Sequence, residues 1–149
     1  MHQVEAEDQI VAQALLILSR RCAPGEAMVS PATVKHYLTV RAAFHSREVF
    51  GCMFLDVRNC ILACEDMFAG TLTQTSVYPR EIVRRCLELG AAHVILTHNH
   101  PSGNPTHSRA DEALTAKLKT ALDLVDVRVL DHVITAGGAA LSMAEQGLI

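Results

Sequence analysis

The residues able to do chemistry are concentrated in one stretch, Thr97-His98-Asn99-His100-Pro101-Ser102-Gly103-Asn104-Pro105-Thr106-His107-Ser108-Arg109-Ala110-Asp111. The apolar run before it, Ala91 to Leu96, is too short for a helix and rich in branched residues, as a buried strand is. In extended backbone His98 and His100 point to the same side, so both imidazoles can reach one ion. Pro, Gly, Asn and Pro then turn the chain, and that turn can carry Asp111 back toward the pair. Two imidazoles, one carboxylate and an open position form the ligand set of a catalytic zinc, not of a closed structural site. Taken singly, each feature has a plainer reading. His-x-His alone is a weak metal signal, and Ser108-x-x-Asp111 is also the pattern of a helix cap.

The combination is more specific than its parts. His-x-His, seven residues, then Ser-x-x-Asp, directly after a strand, is similar to the JAMM (MPN-type) metalloprotease motif. The core His98-Asn99-His100-Pro101-Ser102-Gly103 resembles one branch of it, the RadC family. Other segments resemble the same family: Glu48 at the head of an apolar strand closed by Leu55-Asp56, the Gly70-Thr71 segment, Pro79-Arg80-Glu81 and Asp131-His132. The likeness runs from about Ser30 to the C-terminus. It implies Zn²⁺ held by His98, His100 and Asp111, with Glu48 as general base. It also implies that Ser108 donates a hydrogen bond to the attacking water or to the oxyanion. The reaction implied is hydrolysis of a peptide or isopeptide bond by metal-activated water. On the residues alone Glu65 and Glu81 rival Glu48 for the base; the resemblance selects Glu48.

The same resemblance implies an α/β fold: a three-layer α/β/α sandwich around a curved mixed β-sheet, of the JAMM/MPN (cytidine-deaminase-like) type. It divides the chain into a helical segment over 1–29 and a RadC-like metal-binding catalytic domain over 30–149. Longer RadC-like proteins carry a helix-hairpin-helix segment upstream. No glycine-rich hairpin of that kind occurs here, so the chain looks like the catalytic-domain-only form. Two residues depart from the wider pattern. Asn99 stands where JAMM peptidases often have Ser or Thr, which is a mark of the RadC branch. His107 stands where RadC-like sequences usually have proline, and it reads as a surface residue, with a disturbing third imidazole as the alternative.

The elements that must position these residues follow from periodicity. Ile10 to Arg21 reads as a helix with Ile10, Ala14, Leu15 and Leu18 as its apolar stripe, closed by Pro24-Gly25. Ser30-Pro31 caps a second helix reaching about Phe44, with Val34, Leu38 and Ala42 on one face. Val49–Val57 and Cys60–Phe68, joined by Arg58-Asn59, form a β-hairpin, and Thr73–Ser76 a loop. Val77-Tyr78-Pro79-Arg80-Glu81 leads into a helix to about Leu89 that buries Ile82, Cys86 and Leu89 and ends at Gly90. The helix from Ser108 to about Leu124 turns Leu114, Leu118, Ala121 and Leu122 to the sheet. Val127 to Thr135 is a further strand, whose His132 reads as a structural, hydrogen-bonded histidine, with a place near the site as the alternative, and Gly137-Gly138 turns the chain into its last segment.

Composition narrows the classes. The chain of 149 residues is 50% hydrophobic and 19% charged, enough to bury a core. A net charge of −3 and a pI near 6.2 lack the footprint of a nucleic-acid binder, leaving Arg80, Arg84 and Arg85 as the one basic patch to weigh. The five cysteines form no Cys-x-x-Cys pair, which speaks against disulfides or a cysteine zinc site. No signal peptide and no run of ~20 apolar residues is present, and the expectation is a cytoplasmic protein. A protein or peptide substrate is expected, with a homodimer open as the assembly and no membrane partner. The rival reading from another class is a non-enzymatic zinc-containing accessory module of a DNA-repair or mobile-element-associated complex. A nuclease ranks lower, with only one mononuclear site in view. A zinc deaminase lacks its His-x-Glu and later Cys-x-x-Cys.

Overall fold

The computed structural model describes residues 2–21, 30–70 and 76–149. Its elements in chain order are α1 (His2–Arg21), α2 (Pro31–Ala42), β1 (Val49–Leu55), β2 (Ile61–Ala69), α3 (Pro79–Leu89), β3 (His93–Asn99), α4 (Arg109–Asp123), β4 (Arg128–Ala136) and β5 (Ala139–Ser142). The helix end expected at Pro24-Gly25, Cys22, the Thr71 of the Gly70-Thr71 segment, and the Thr73–Thr75 part of the expected loop lie outside the described residues.

The strands form one five-stranded sheet in the order β2-β1-β3-β4-β5. β1 pairs antiparallel with both β2 and β3, β3 runs parallel to β4, and β4 pairs antiparallel with β5. The sheet is therefore mixed. Its one parallel pair needs a crossover, and α4 supplies it. All seven residues of β1 are buried because helices cover both faces. On one face Phe50, Cys52, Phe54, Val94 and Leu96 pack against Ile82 and Cys86 of α3 and Leu118 and Leu122 of α4. On the other, Met53, Leu55, Ile95 and Val133 pack against Val34, Tyr37 and Leu38 of α2. This is the α/β fold with helices on both sides of a mixed sheet.

Several details differ from the sequence reading. α1 begins earlier, and Ile10 lies outside the expected stripe at 66% exposure. The inward row is Val11, Ala14 and Leu15, spaced i, i+3, i+4, and Leu15 reaches the core under α2. The last segment contains a fifth strand, β5, too short for alternation to reveal; Gly137 and Gly138, both at positive φ, make its hairpin turn. Gly90 does end α3 as expected, in the left-handed conformation at φ 65°. The four described free cysteines, Cys52, Cys60, Cys64 and Cys86, are buried or half-buried. Burial pushes the thiols of Cys64 and Cys86 up to about 11, so neither is a nucleophile at neutral pH.

Gly51 sits in the middle of β1, beside a register shift against β2. A Cβ there would lie 2.9 Å from the Glu65 carbonyl oxygen and 3.3 Å from Thr97 Cγ2. The carbonyl belongs to a paired strand and cannot retreat. Gly51→Ala is expected to destabilise the protein by about 1–3 kcal/mol through overpacking. The check is a urea transition with a lower midpoint and an unchanged slope.

Candidate metal centre

The site lies where β3 ends and α4 begins. His98 is the penultimate residue of β3 and His100 follows it, on the face that carries Leu96 and Phe50. Residues 101–107 loop over, and Ser108 caps α4 so that Asp111 occupies its first turn. The Ser108 Oγ accepts from the Asp111 N–H at 3.1 Å, and the Asp111 Oδ2 accepts from the Ser108 N–H at 2.6 Å. The capping box expected from Ser-x-x-Asp is thus present, and it aims the other carboxylate oxygen at the histidines. Asp111 Oδ1 is 3.2 Å from His98 Nε2, and Oδ2 is 3.6 Å from His100 Nε2. The two Nε2 atoms are 2.8 Å apart.

Three ligand atoms therefore converge on one point. Around a tetrahedral ion with bonds of about 2.0–2.1 Å, such atoms stand about 3.3 Å from one another, and the observed spacings bracket that value. Each ring has its Nδ1 engaged elsewhere, which leaves Nε2 turned inward. His100 Nδ1 donates to the Asn104 carbonyl at 2.8 Å, and His98 Nδ1 lies 2.8 Å from His132 Nε2. His98 is buried, and the side chains of His100 and Asp111 are 19% and 13% exposed, so one side of the cluster stays open to solvent. Burial alone would raise the Asp111 carboxyl. The His98 imidazole beside it and the hydrogen bond from the Ser108 N–H outweigh it and hold the group well below the ordinary aspartate range, as a carboxylate. The donor set is what a divalent cation needs. Among the described residues, His98, His100 and Asp111 make the one such cluster of three.

Glu48 stands one residue before β1 and is half-buried. Phe50 is opposite His98, and continuing that register by two residues puts Glu48 opposite His100, on the same face. The residue between the histidines holds this segment. Asn99 Oδ1 accepts from the Val49 N–H at 2.7 Å, and its Nδ2 donates to the Arg47 carbonyl at 2.9 Å. A Ser or Thr could not span both groups, so Asn99 clamps the backbone on either side of Glu48. The rival carboxylates are otherwise committed: Glu65 is bidentate to Arg85, and Glu81 pairs with Arg84. Arg80 lies 3.5 Å from Glu81 as well, so the basic patch weighed from the sequence is neutralised by its own neighbours.

Two residues, Thr115 and Phe50, had no assigned part in the sequence reading, and both meet His132, which is hydrogen-bonded on both ring nitrogens. Thr115 is a hydroxyl on the otherwise apolar stripe of α4, the only hint of its role, and it bonds His132 at 2.6 Å. His132 is fully buried, and burial pushes its imidazole down to about 3, so it is neutral. Phe50 stacks on His98 at 6.2 Å and meets His132 edge-on at 5.6 Å. Asp131, its neighbour in sequence, faces away and accepts from Ser142 Oγ and the Ala144 N–H, which ties β4 to the chain end. His107 is half-buried, with its side chain 22% exposed. Its Nε2 pairs with Glu112 at 3.0 Å, outside the cluster of three. No described helix is long and apolar enough to cross a membrane.

The comparisons agree with this geometry. The family model described as "RadC-like JAB domain" matches residues 28–148. The chain is 63% identical over 124 residues to a UPF0758 protein of Acidovorax ebreus, covering 83% of this chain and 52% of that protein. It is 60% identical over 132 residues to a UPF0758 protein of Acidovorax sp. (strain JS42), covering 89% and 56%. A UPF0758 protein of Albidiferax ferrireducens is 57% identical over 141 residues, covering 91% and 60%. The chain thus spans a little over half the length of these relatives. With the family model matched over most of the chain and the His-x-His and Ser-x-x-Asp segments folded onto one point, this protein belongs to the RadC family.

Proposed function

We propose that this chain is the catalytic domain of a zinc-dependent hydrolase that cleaves peptide or isopeptide bonds. The observation that carries the reading is the convergence of His98 Nε2, His100 Nε2 and a half-buried, ionised Asp111 on one solvent-facing point. When bound there, zinc would supply Lewis acidity, polarising a carbonyl and making water more acidic. The chain's own groups supply the rest. Glu48, placed opposite His100, takes the proton of the attacking water and passes it to the leaving amine. Ser108 accepts the Asp111 N–H through its oxygen lone pair, which leaves its hydroxyl proton free to stabilise the oxyanion. A cavity lined by Thr39, Ala43, Pro101, Thr135, Gly137 and Gly138 reaches His100. Burial raises the thiols of Cys52, Cys64 and Cys86, which supports water over these cysteines as nucleophile.

The test is the metal content of the purified protein by elemental mass spectrometry, for wild type and His100→Ala. About one zinc per chain, absent from the variant, is the result expected for a mononuclear site. No metal in either protein, even after zinc is added back, would overturn the assignment.

A further inference from the structure

Behind His98 the buried polar groups form a closed ring. The Thr115 hydroxyl lies 2.6 Å from the Asp111 backbone carbonyl and 2.6 Å from His132 Nδ1. His132 Nε2 lies 2.8 Å from His98 Nδ1. The ring thus returns to the cluster by its other member, since the Asp111 side chain faces His98 Nε2. Thr115 and His132 are 3% and 0% exposed, so water does not satisfy them.

The direction of each hydrogen bond follows from the groups themselves. A carbonyl oxygen only accepts, so at 2.6 Å the single Thr115 proton goes to Asp111. The Met143 sulfur at 3.7 Å is a weak and distant competitor. With its proton spent, the Thr115 oxygen must accept from His132, which fixes the His132 proton on Nδ1. His132 is fully buried and its ring nitrogens face only Thr115 and His98, with no carboxylate among the described residues bonded to the ring to offset a second proton, so its Nε2 is a bare lone pair and must accept from His98. That places the His98 proton on Nδ1 and leaves His98 Nε2 as a lone pair. The geometry points to a role that rests on the metal-centre reading above: we propose that Thr115 and His132 are positioning residues. They hold His98 in the one tautomer able to ligate through Nε2, and they tie that ligand to the turn of α4 that carries Asp111. Metal-bound histidines commonly have the second ring nitrogen held in this way, and loss of such a partner costs 10–100-fold in metal affinity.

The experiment has two readouts. Long-range ¹H–¹⁵N correlation spectra of the metal-free protein, in mildly alkaline buffer, report the tautomer of each imidazole. Titration with Zn²⁺ against a chromophoric chelator gives affinity, with circular dichroism as a check on folding. We expect His98 protonated on Nδ1 in metal-free wild type. His132→Leu is expected to remove that preference and weaken zinc binding 10–100-fold. In His132→Gln the amide oxygen can accept from His98 and the NH₂ can donate to Thr115, so affinity should stay within about threefold of wild type. Thr115→Ser should behave like wild type and Thr115→Val like His132→Leu. Should His132→Leu fail to fold, the wild-type tautomer and the Thr115 pair still decide. A His98 proton found on Nε2, or Thr115→Val and His132→Leu binding zinc as tightly as wild type, would overturn the proposal. If wild type takes up no zinc the metal-centre reading fails, while the tautomer in the metal-free protein still tests the ring.

Discussion

Glu48→Gln is expected to lower turnover of a peptide or isopeptide substrate by about 10²–10⁴-fold, the usual contribution of a positioned general base. Zinc content should not change. The substitution keeps the side chain's size, and the two Asn99 hydrogen bonds that hold this segment go to backbone groups of Arg47 and Val49, which the variant retains. Only the ability to take a proton is removed. The measurement pairs single-turnover kinetics with elemental analysis of the same sample. Loss of zinc in the variant would make Glu48 a ligand and not a base. Full activity with full zinc would move the base elsewhere, and the structure leaves few places for it, because Glu65 and Glu81 are held by Arg85 and Arg84. The variant also separates an enzyme from an accessory module, since a module that works by binding zinc alone would keep its biological effect.

The parts of this site legible in the sequence are those whose geometry is local. Strand parity places His98 and His100 on one face whatever the rest of the chain does. Ser108 and Asp111 meet because residues i and i+3 share a helix turn, and the capping box formed as read. The helices from Pro31 and from Arg109 declared themselves by caps and apolar spacing. What stayed hidden depends on register between distant segments. Asn99 looks like a mere departure from Ser or Thr until β1 lies beside β3 with Val49 opposite, when its amide proves long enough to grip both neighbours of Glu48. Thr115 looks like a flaw in an apolar stripe until β4 brings His132 beneath it. β5 hid for a different reason: four residues beside a glycine turn carry too little pattern. His107, read as a surface residue, is drawn in by Glu112 one turn along α4, a contact set by the loop before the helix.

Asp111→Asn is expected to weaken zinc binding well beyond the 10–100-fold that loss of an outer partner costs, with little effect on the metal-free fold. The two readings of Asp111, helix cap and metal ligand, meet in one side chain, and the structure shows how they can be separated. One oxygen accepts the Ser108 N–H at 2.6 Å, and the other faces His98 Nε2 at 3.2 Å. Asparagine keeps a carbonyl oxygen for the cap and gives up the charge that a cation needs. Its cost to the metal-free protein is the lost favourable charge at a helix N-terminus, about 0.3–1 kcal/mol. In wild type, zinc at 1,000 times its dissociation constant should add about 4 kcal/mol of stability by mass action. In the variant, thermal unfolding with and without zinc should nearly coincide. Asp111→Ala should lose both functions, unfolding earlier without metal and gaining nothing from it. A zinc-induced shift in Asp111→Asn as large as in wild type would reduce Asp111 to a cap, and the two histidines would then need a third ligand from elsewhere in the chain.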